Sequence, residues 1–275
     1  MTMKWAASCA DNLYEVYGFW RRKGRNMYKK NEIINMAKAQ FSLDYNCSVS
    51  DFEKQQNTIA RNKLIEGRRI YKSEGCFMKI LTFCGRAIIM VDEAIMPWAE
   101  ENLANIDANW LFQYSRIKSI DKKLNEFGHE IADMHHYYLP DPKAPEAAPL
   151  FSVKWFEQLE IFSFKNDRRF SEALCFDERS PDVLAVAACD GEQIMGMAGA
   201  SADSSAMWQI GINVIPEYRG KGIGTNLTAL LKQEILKRGK LPFYGTLESH
   251  SFSKNIAINA GFFPAWAEAY SKKLV

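Results

Sequence analysis

Little in this 275-residue chain is extreme, and each shortage excludes a class of function. Six cysteines stand singly at positions 9, 47, 76, 84, 175 and 189, with no C-x-x-C pair. Thiols so scattered form neither a zinc site nor a disulfide framework, so reduced thiols in a cytoplasmic protein are expected. No apolar run approaches the roughly 18 residues of a membrane-spanning helix, and residues 1–11 carry one lysine with no signal-peptide core. No membrane partner is therefore expected. Lys and Arg number 35 against 33 Asp and Glu, and a formal charge of +2 implies no polyanion partner. Arg21 to Lys30 does gather six basic residues, but on a near-neutral chain it reads as a solvated helix end rather than a nucleic-acid grip. His129, Glu130, Asp133, His135 and His136 read H-E-x-x-D-x-H-H, which is not the zinc pattern H-E-x-x-H. That segment reads as a helix end facing solvent or substrate, and no metal is expected.

What is present is organisation. Positions 139–150 hold four of the nine prolines, a density that forbids helix interiors and favours a stiff, extended connector. The expected division is an α+β N-terminal domain over 1–140, a proline-rich linker over 141–150, and a second domain over 151–275. The first domain looks mainly helical. Leu13, Val16, Tyr17 and Trp20 share one helix face, the capping box Ser50-Asp51-Phe52-Glu53 opens a second helix, and Ile117, Ile120, Leu124 and Phe127 mark a third. Between them 76–91 suggests two strands around Gly85.

The most informative stretch is 212–225, I-N-V-I-P-E-Y-R-G-K-G-I-G-T. A β-rich run ends at Pro216, and glycines 220, 222 and 224 lead into a helix whose Leu227, Leu230, Leu231 and Ile235 keep the 3.6-residue period. A glycine-rich turn opening a helix leaves unpaired N–H groups that suit phosphate. The spacing is neither G-x-G-x-x-G nor G-x-x-x-x-G-K-[ST]; it is R-x-x-G-x-G at Arg219, Gly222 and Gly224. Upstream, 183–188 and 193–200 read as a hairpin around Asp190-Gly191, and 206–214 as a third strand. Downstream, 241–247 reads as a buried strand, followed by E-S-H-S-F-S-K-N-I-A-I-N-A-G-F over 248–262.

In this order of elements, 151–275 resembles the GNAT superfamily of acyl-CoA-dependent N-acyltransferases, with Ser249, Ser253, Ile256, Ala257, Gly261 and Phe262 matching its second cofactor segment. The resemblance implies a mixed, mainly antiparallel sheet with a splayed central strand pair flanked by helices. It implies transfer of an acetyl group from acetyl-CoA to a primary amine, of a small molecule or a peptide, by direct attack in a ternary complex. Carried over residue by residue, it gives Ile212, Asn213 and Val214 to the pantetheine arm. Arg219, Gly220, Lys221, Gly222, Ile223, Gly224 and Thr225 fall to the pyrophosphate, and His250 and Ser253 to the cofactor wall. The family's usual tyrosine position holds Ala257, and Met207-Trp208-Gln209 lacks the strand glutamate. Glu248, His250 and Tyr244 are the candidate replacements, with His250 read first as a cofactor contact. Those departures keep open a non-catalytic acyl-CoA sensor or protein-interaction module. The N-terminal half is expected to supply a wall of the amine site, through 129–138, or a partner surface. Oligomeric state is open, a dimer included.

Overall fold

The structure is a computed structural model describing residues 28–70 and 76–274. The helix expected over Leu13 to Trp20 and most of the basic cluster lie outside these residues. Within them, alternating hydrophobicity builds strands on both sides of the proline-rich segment. Strand β1 spans Thr58–Arg61, β2 Met78–Phe83 and β3 Arg86–Val91. The β2–β3 turn consists of Cys84 and Gly85, with φ of 53° and 72°. A two-residue turn with both φ positive matches the twist of the flanking strands, so the strand pair expected around Gly85 is present.

Among the described residues the N-terminal sequence forms three helices, α1 (Lys30–Asp44), α2 (Met96–Leu103) and α3 (Tyr114–Asn125). Helix α3 buries Ile120 and Leu124, as their spacing predicts. The Ser50 capping box does not open a long helix. Ser48 caps a single 3-10 turn, Val49–Glu53, and Asp51 bonds back to the Ser48 N–H. Segment 129–138 also departs from expectation. It is strand β4 (His129–Pro140), because α3 stops at Asn125 and Gly128 turns the chain at φ 71°. Its Tyr137 and Leu139 face one core and Tyr138 the other, the period of two that a strand requires.

The C-terminal sequence gives β5 (Ser152–Glu157), β6 (Asp182–Asp190), β7 (Gln193–Ala202), β8 (Met207–Val214), β9 (Leu241–Leu247) and β10 (Phe262–Lys273). Helices α4 (Gln158–Ile161), α5 (Ile223–Lys237) and α6 (Ser251–Asn259) lie between them. All ten strands form one sheet in the order β1-β3-β2-β10-β4-β9-β8-β7-β6-β5. Strand β4, from before the proline-rich segment, is hydrogen-bonded between β9 and β10, from after it. The expected boundary therefore does not divide the sheet. Nor does 141–150 hang free. Asn226 of α5 accepts from the Leu150 N–H and donates to the Ala148 carbonyl, while Gln233 bonds both main-chain groups of Ala147.

Two cores flank the middle of the sheet. Helices α5 and α6 cover one face, where Leu227, Leu231, Ile235 and Ala257 meet Tyr138, Ile210, Tyr244 and Phe262. Helix α1 covers the other, where Ile33, Ala37 and Phe41 meet Tyr137, Met207, Phe243 and Trp266. Into this second core the chain buries Arg69, whose guanidinium pairs with Asp44 and Glu268 at 2.5 Å each. Tyr45 donates to Glu268 at 3.0 Å, so each buried charge has its partner.

Candidate active site

Strands β8 and β9 run parallel and pair from Met207↔Leu241 to Ile210↔Tyr244. Beyond that pair both continue, β8 to Val214 and β9 to Leu247, without pairing further. On its other side β8 stays bonded to β7 through Val214. The result is a wedge whose β8 wall, 211–214, has no strand partner on the β9 side among the described residues. An extended ligand can enter such a gap and pair with main-chain groups as an added strand does.

The β8 strand ends at the N-terminus of α5. Pro216–Tyr218 forms one 3-10 turn, and Gly222 caps α5 in the left-handed region at φ 78°. The first intrahelical bond is donated by Asn226 to the Gly222 carbonyl. The N–H groups of Ile223, Gly224 and Thr225 precede it and are the unpaired donors of a helix start. Ile223 itself is buried and Gly224 lies against Ile256 and Val214, so these two offer main chain and no side chain. Arg219 donates through Nε to the Val214 carbonyl at 3.2 Å, fastening the turn to the end of β8. Lys221 lies over the Tyr218 ring at 5.0 Å, exposed beside the same turn. These groups fit a pyrophosphate, with backbone donors, a helix dipole and two cations at one mouth of the wedge.

The remaining predicted residues separate into two groups. Ile212 and Val214 face the α5 core, while Asn213 faces the opposite side and is already engaged. Its Oδ1 accepts the N–H groups of Glu172 and Ala173 at 2.8 Å each. Tyr244, the last residue of β9 paired to β8, is buried and shares a 2.8 Å hydrogen bond with Ser253 on the first turn of α6. Burial raises its phenol pKa above the usual value, with Tyr138 and Glu172 adding to the rise and the Ser253 bond opposing it. Tyr244 is thus an un-ionised hydroxyl at the point of the wedge.

Glu248 follows the end of β9. Its two oxygens lie 2.7 Å from His136 Nε2 and 3.1 Å from Lys254 Nζ. Burial lowers the His136 pKa even though Glu248 pulls the other way. Burial first and Glu248 second raise the Tyr138 phenol. His250 is exposed at the N-cap of α6 and does not join this group. His136 and Tyr138, named in the sequence only within segment 129–138 and not as individual site residues, are brought here by β4, paired opposite Thr246 and Tyr244. Among the described residues no group of three or more His, Cys, Asp or Glu side chains is placed to hold a metal ion. Nor is any described helix long and apolar enough to cross a membrane.

The splayed parallel pair and the glycine-capped helix lie within residues 147–255, which match the model of the acetyltransferase (GNAT) family. The match covers 109 of the 275 residues. Similar solved structures include a GNAT-family protein of Novosphingobium aromaticivorans, 14% identical, with 52% of this chain and 66% of that one covered and a TM-score of 0.40. A GCN5-related N-acetyltransferase-like protein of Streptococcus suis is 16% identical over 70% of this chain and 83% of its own, with a TM-score of 0.42. The yncA protein of Salmonella typhimurium, solved with its cofactor acetyl-CoA, is 13% identical over 45% of this chain and 94% of its own, with a TM-score of 0.34. No curated protein sequence matches the chain significantly.

Proposed function

We propose that this protein transfers an acetyl group from acetyl-CoA to a primary amine by direct attack within a ternary complex. The observation that carries this reading is the wedge itself. Pairing stops at Ile210↔Tyr244 while both strands run on, and the open end meets the free N–H groups of 223–225. The pyrophosphate belongs at that helix start, with Arg219 and Lys221 beside it. The pantetheine arm belongs along 211–214. Held there, the thioester is presented to the amine from a fixed direction, which removes much of the entropy of a two-body encounter.

Tyr244 is the residue suited to return a proton to the departing thiolate, since its hydroxyl is neutral, buried and oriented by Ser253. Glu248 is held by His136 and Lys254 and takes second place. His250 serves the cofactor wall. The protein is read as cytoplasmic.

Gly222→Asn tests the cradle. Asparagine tolerates the left-handed conformation that Gly222 adopts, so the turn survives, but its side chain covers the free donors. Calorimetric titration should show acetyl-CoA affinity reduced at least ~10-fold. Unchanged affinity in the folded variant would remove the cofactor assignment.

A further inference from the structure

The reaction proposed above leaves the attacking nitrogen with a proton to lose. We infer that His136, on the strand β4 contributed by the N-terminal half, is the general base for the acceptor amine, with Glu248 as the positioning carboxylate behind it. This rests on the acetyl-transfer reading.

Strand register places the histidine. Tyr138 lies opposite Tyr244 and His136 opposite Thr246, so these four side chains leave the sheet on one face. It is the face covered by α5 and α6, since Tyr138 and Tyr244 both pack into that core. Ile212 and Val214 of the open β8 edge point to the same side, where the free N–H groups of the α5 start also lie. A cofactor laid from that helix start along 211–214 brings its acyl end towards Tyr244, on the face that carries His136. The His136↔Thr246 pair stands two residues beyond Tyr138↔Tyr244, about 7 Å further in the direction in which the wedge opens. Two neutral phenols thus mark the point of the wedge, and an imidazole stands one step outward.

The surroundings of His136 suit the task. Its Nε2 lies 2.7 Å from a Glu248 oxygen, and Glu248 is held from the other side by Lys254 at 3.1 Å. A carboxylate at Nε2 favours the tautomer that carries its proton there, which leaves the Nδ1 lone pair as the acceptor. No partner is recorded for Nδ1 among the described residues, and the side chain is 47% exposed. Burial holds the His136 pKa below its usual value, so the ring is neutral at pH 7. Glu248 raises that pKa, while Lys254 and His135 lower it further. From β10 the paired residue is Ala267, which brings no charge. The other described histidines lack this arrangement. His135 leaves β4 on the opposite face, His129 sets its Nδ1 2.8 Å from the Phe127 carbonyl, and His250 caps α6 apart from the group.

As the amine nitrogen adds to the thioester carbonyl it becomes cationic and acidic, and its proton passes to His136 Nδ1. The carbonyl re-forms, the C–S bond breaks, and the departing thiolate takes the proton of Tyr244. The imidazolium then returns its proton through solvent to the tyrosinate. One amine and one thioester become one amide and one thiol, with no net change in protons.

The test follows acetyl transfer to n-butylamine by thiol release as a function of pH. This amine, like a lysine side chain, loses its proton only near about pH 10, so its own ionisation gives log kcat/KM a slope of about 1 below that. With His136 as the base, the wild-type profile should steepen to a slope of about 2 at acidic pH, below the pKa of the ring. His136→Gln should keep the single slope throughout and lose kcat/KM by about 100-fold or more, with acetyl-CoA affinity unchanged by calorimetry. Glu248→Gln should keep the break but move it to lower pH, because the carboxylate raises the pKa of the ring. An unchanged profile in His136→Gln overturns the assignment and leaves the reaction standing. A wild type that binds acetyl-CoA yet acetylates none of a panel of aliphatic amines overturns the reaction, and the assignment with it. Nitrogen NMR of the histidines gives a reading that needs no turnover. His136 Nδ1 should be unprotonated at pH 7, and a proton found there overturns the assignment.

Discussion

Asp203 is the buried acid that its surroundings serve least well. Only 4% of its surface is exposed, and its carboxyl pKa is pushed by burial from 3.8 up to about 7. One hydrogen bond from Ser201, at 2.7 Å, favours the charged form, but the nearest cation, Arg69, is already paired to Asp44 and Glu268. The folded state therefore holds this proton where the unfolded chain has lost it. Stability linked to Asp203 is intact near pH 4, declines as pH rises towards 7, and is level above that. Asp203→Asn, which can still accept from Ser201, should be indistinguishable from wild type near pH 4. It should be increasingly more stable from pH 5 to 8, by an amount on the order of 1–4 kcal/mol. Urea unfolding at four pH values reads this directly, and a difference that does not vary with pH would assign Asp203 another role. At the same scale, the cradle was legible because Arg219, Gly222 and Gly224 are close in sequence and share one task. Tyr138 is harder to place, since it reaches the wedge only by pairing with Tyr244, more than a hundred residues later on another element.

Elements on the two sides of the proline-rich segment differ in how plainly the sequence announces them. Helix α5 and the hairpin β6–β7 carry their own period, turn residues and caps, and they appear where expected. Strand β4 carries His, Asp or Glu at five of its twelve positions, and its partners are contributed more than a hundred residues later. Nothing local distinguishes it from a helix end, so its pairing decides its structure. The proline-rich segment has the composition of a connector, yet it is laid along α5 by Asn226 and Gln233. Asn226→Ala removes both the donor to the Ala148 carbonyl and the acceptor for the Leu150 N–H. With those main-chain groups half-buried, the substitution should lower stability by about 1–3 kcal/mol. Hydrogen exchange should show faster loss of protection at Leu150 than at the β6–β7 hairpin. Unchanged exchange there would mean the strap is held by other contacts.

For the molecule as a whole, the position of β4 makes the C-terminal half incomplete by itself. A fragment beginning at Pro149 would have β9 and β10 facing an empty lane, with the backbone groups of both unpaired. It would also keep Glu268 buried on β10 without Arg69. We expect this fragment to show no cooperative unfolding transition and no acetyl-CoA binding, and co-expression with residues 1–148 to restore both. A monomeric fragment that unfolds cooperatively and binds acetyl-CoA would show that the lane can close without β4.

The same lane bears on how the protein is made. A ribosome delivers β4 well before either of its neighbours, and β2 likewise precedes its partner β10. At about 5–20 residues per second, the delay between the emergence of Pro140 and that of Lys273 is on the order of ten seconds. Until β9 emerges β4 is a nascent strand with two open edges, and one edge stays open until β10 follows, so the sheet cannot be completed in the order of its synthesis. Such a chain should therefore depend on being shielded during translation, and its yield should respond to chaperone supply more sharply than its equilibrium stability suggests.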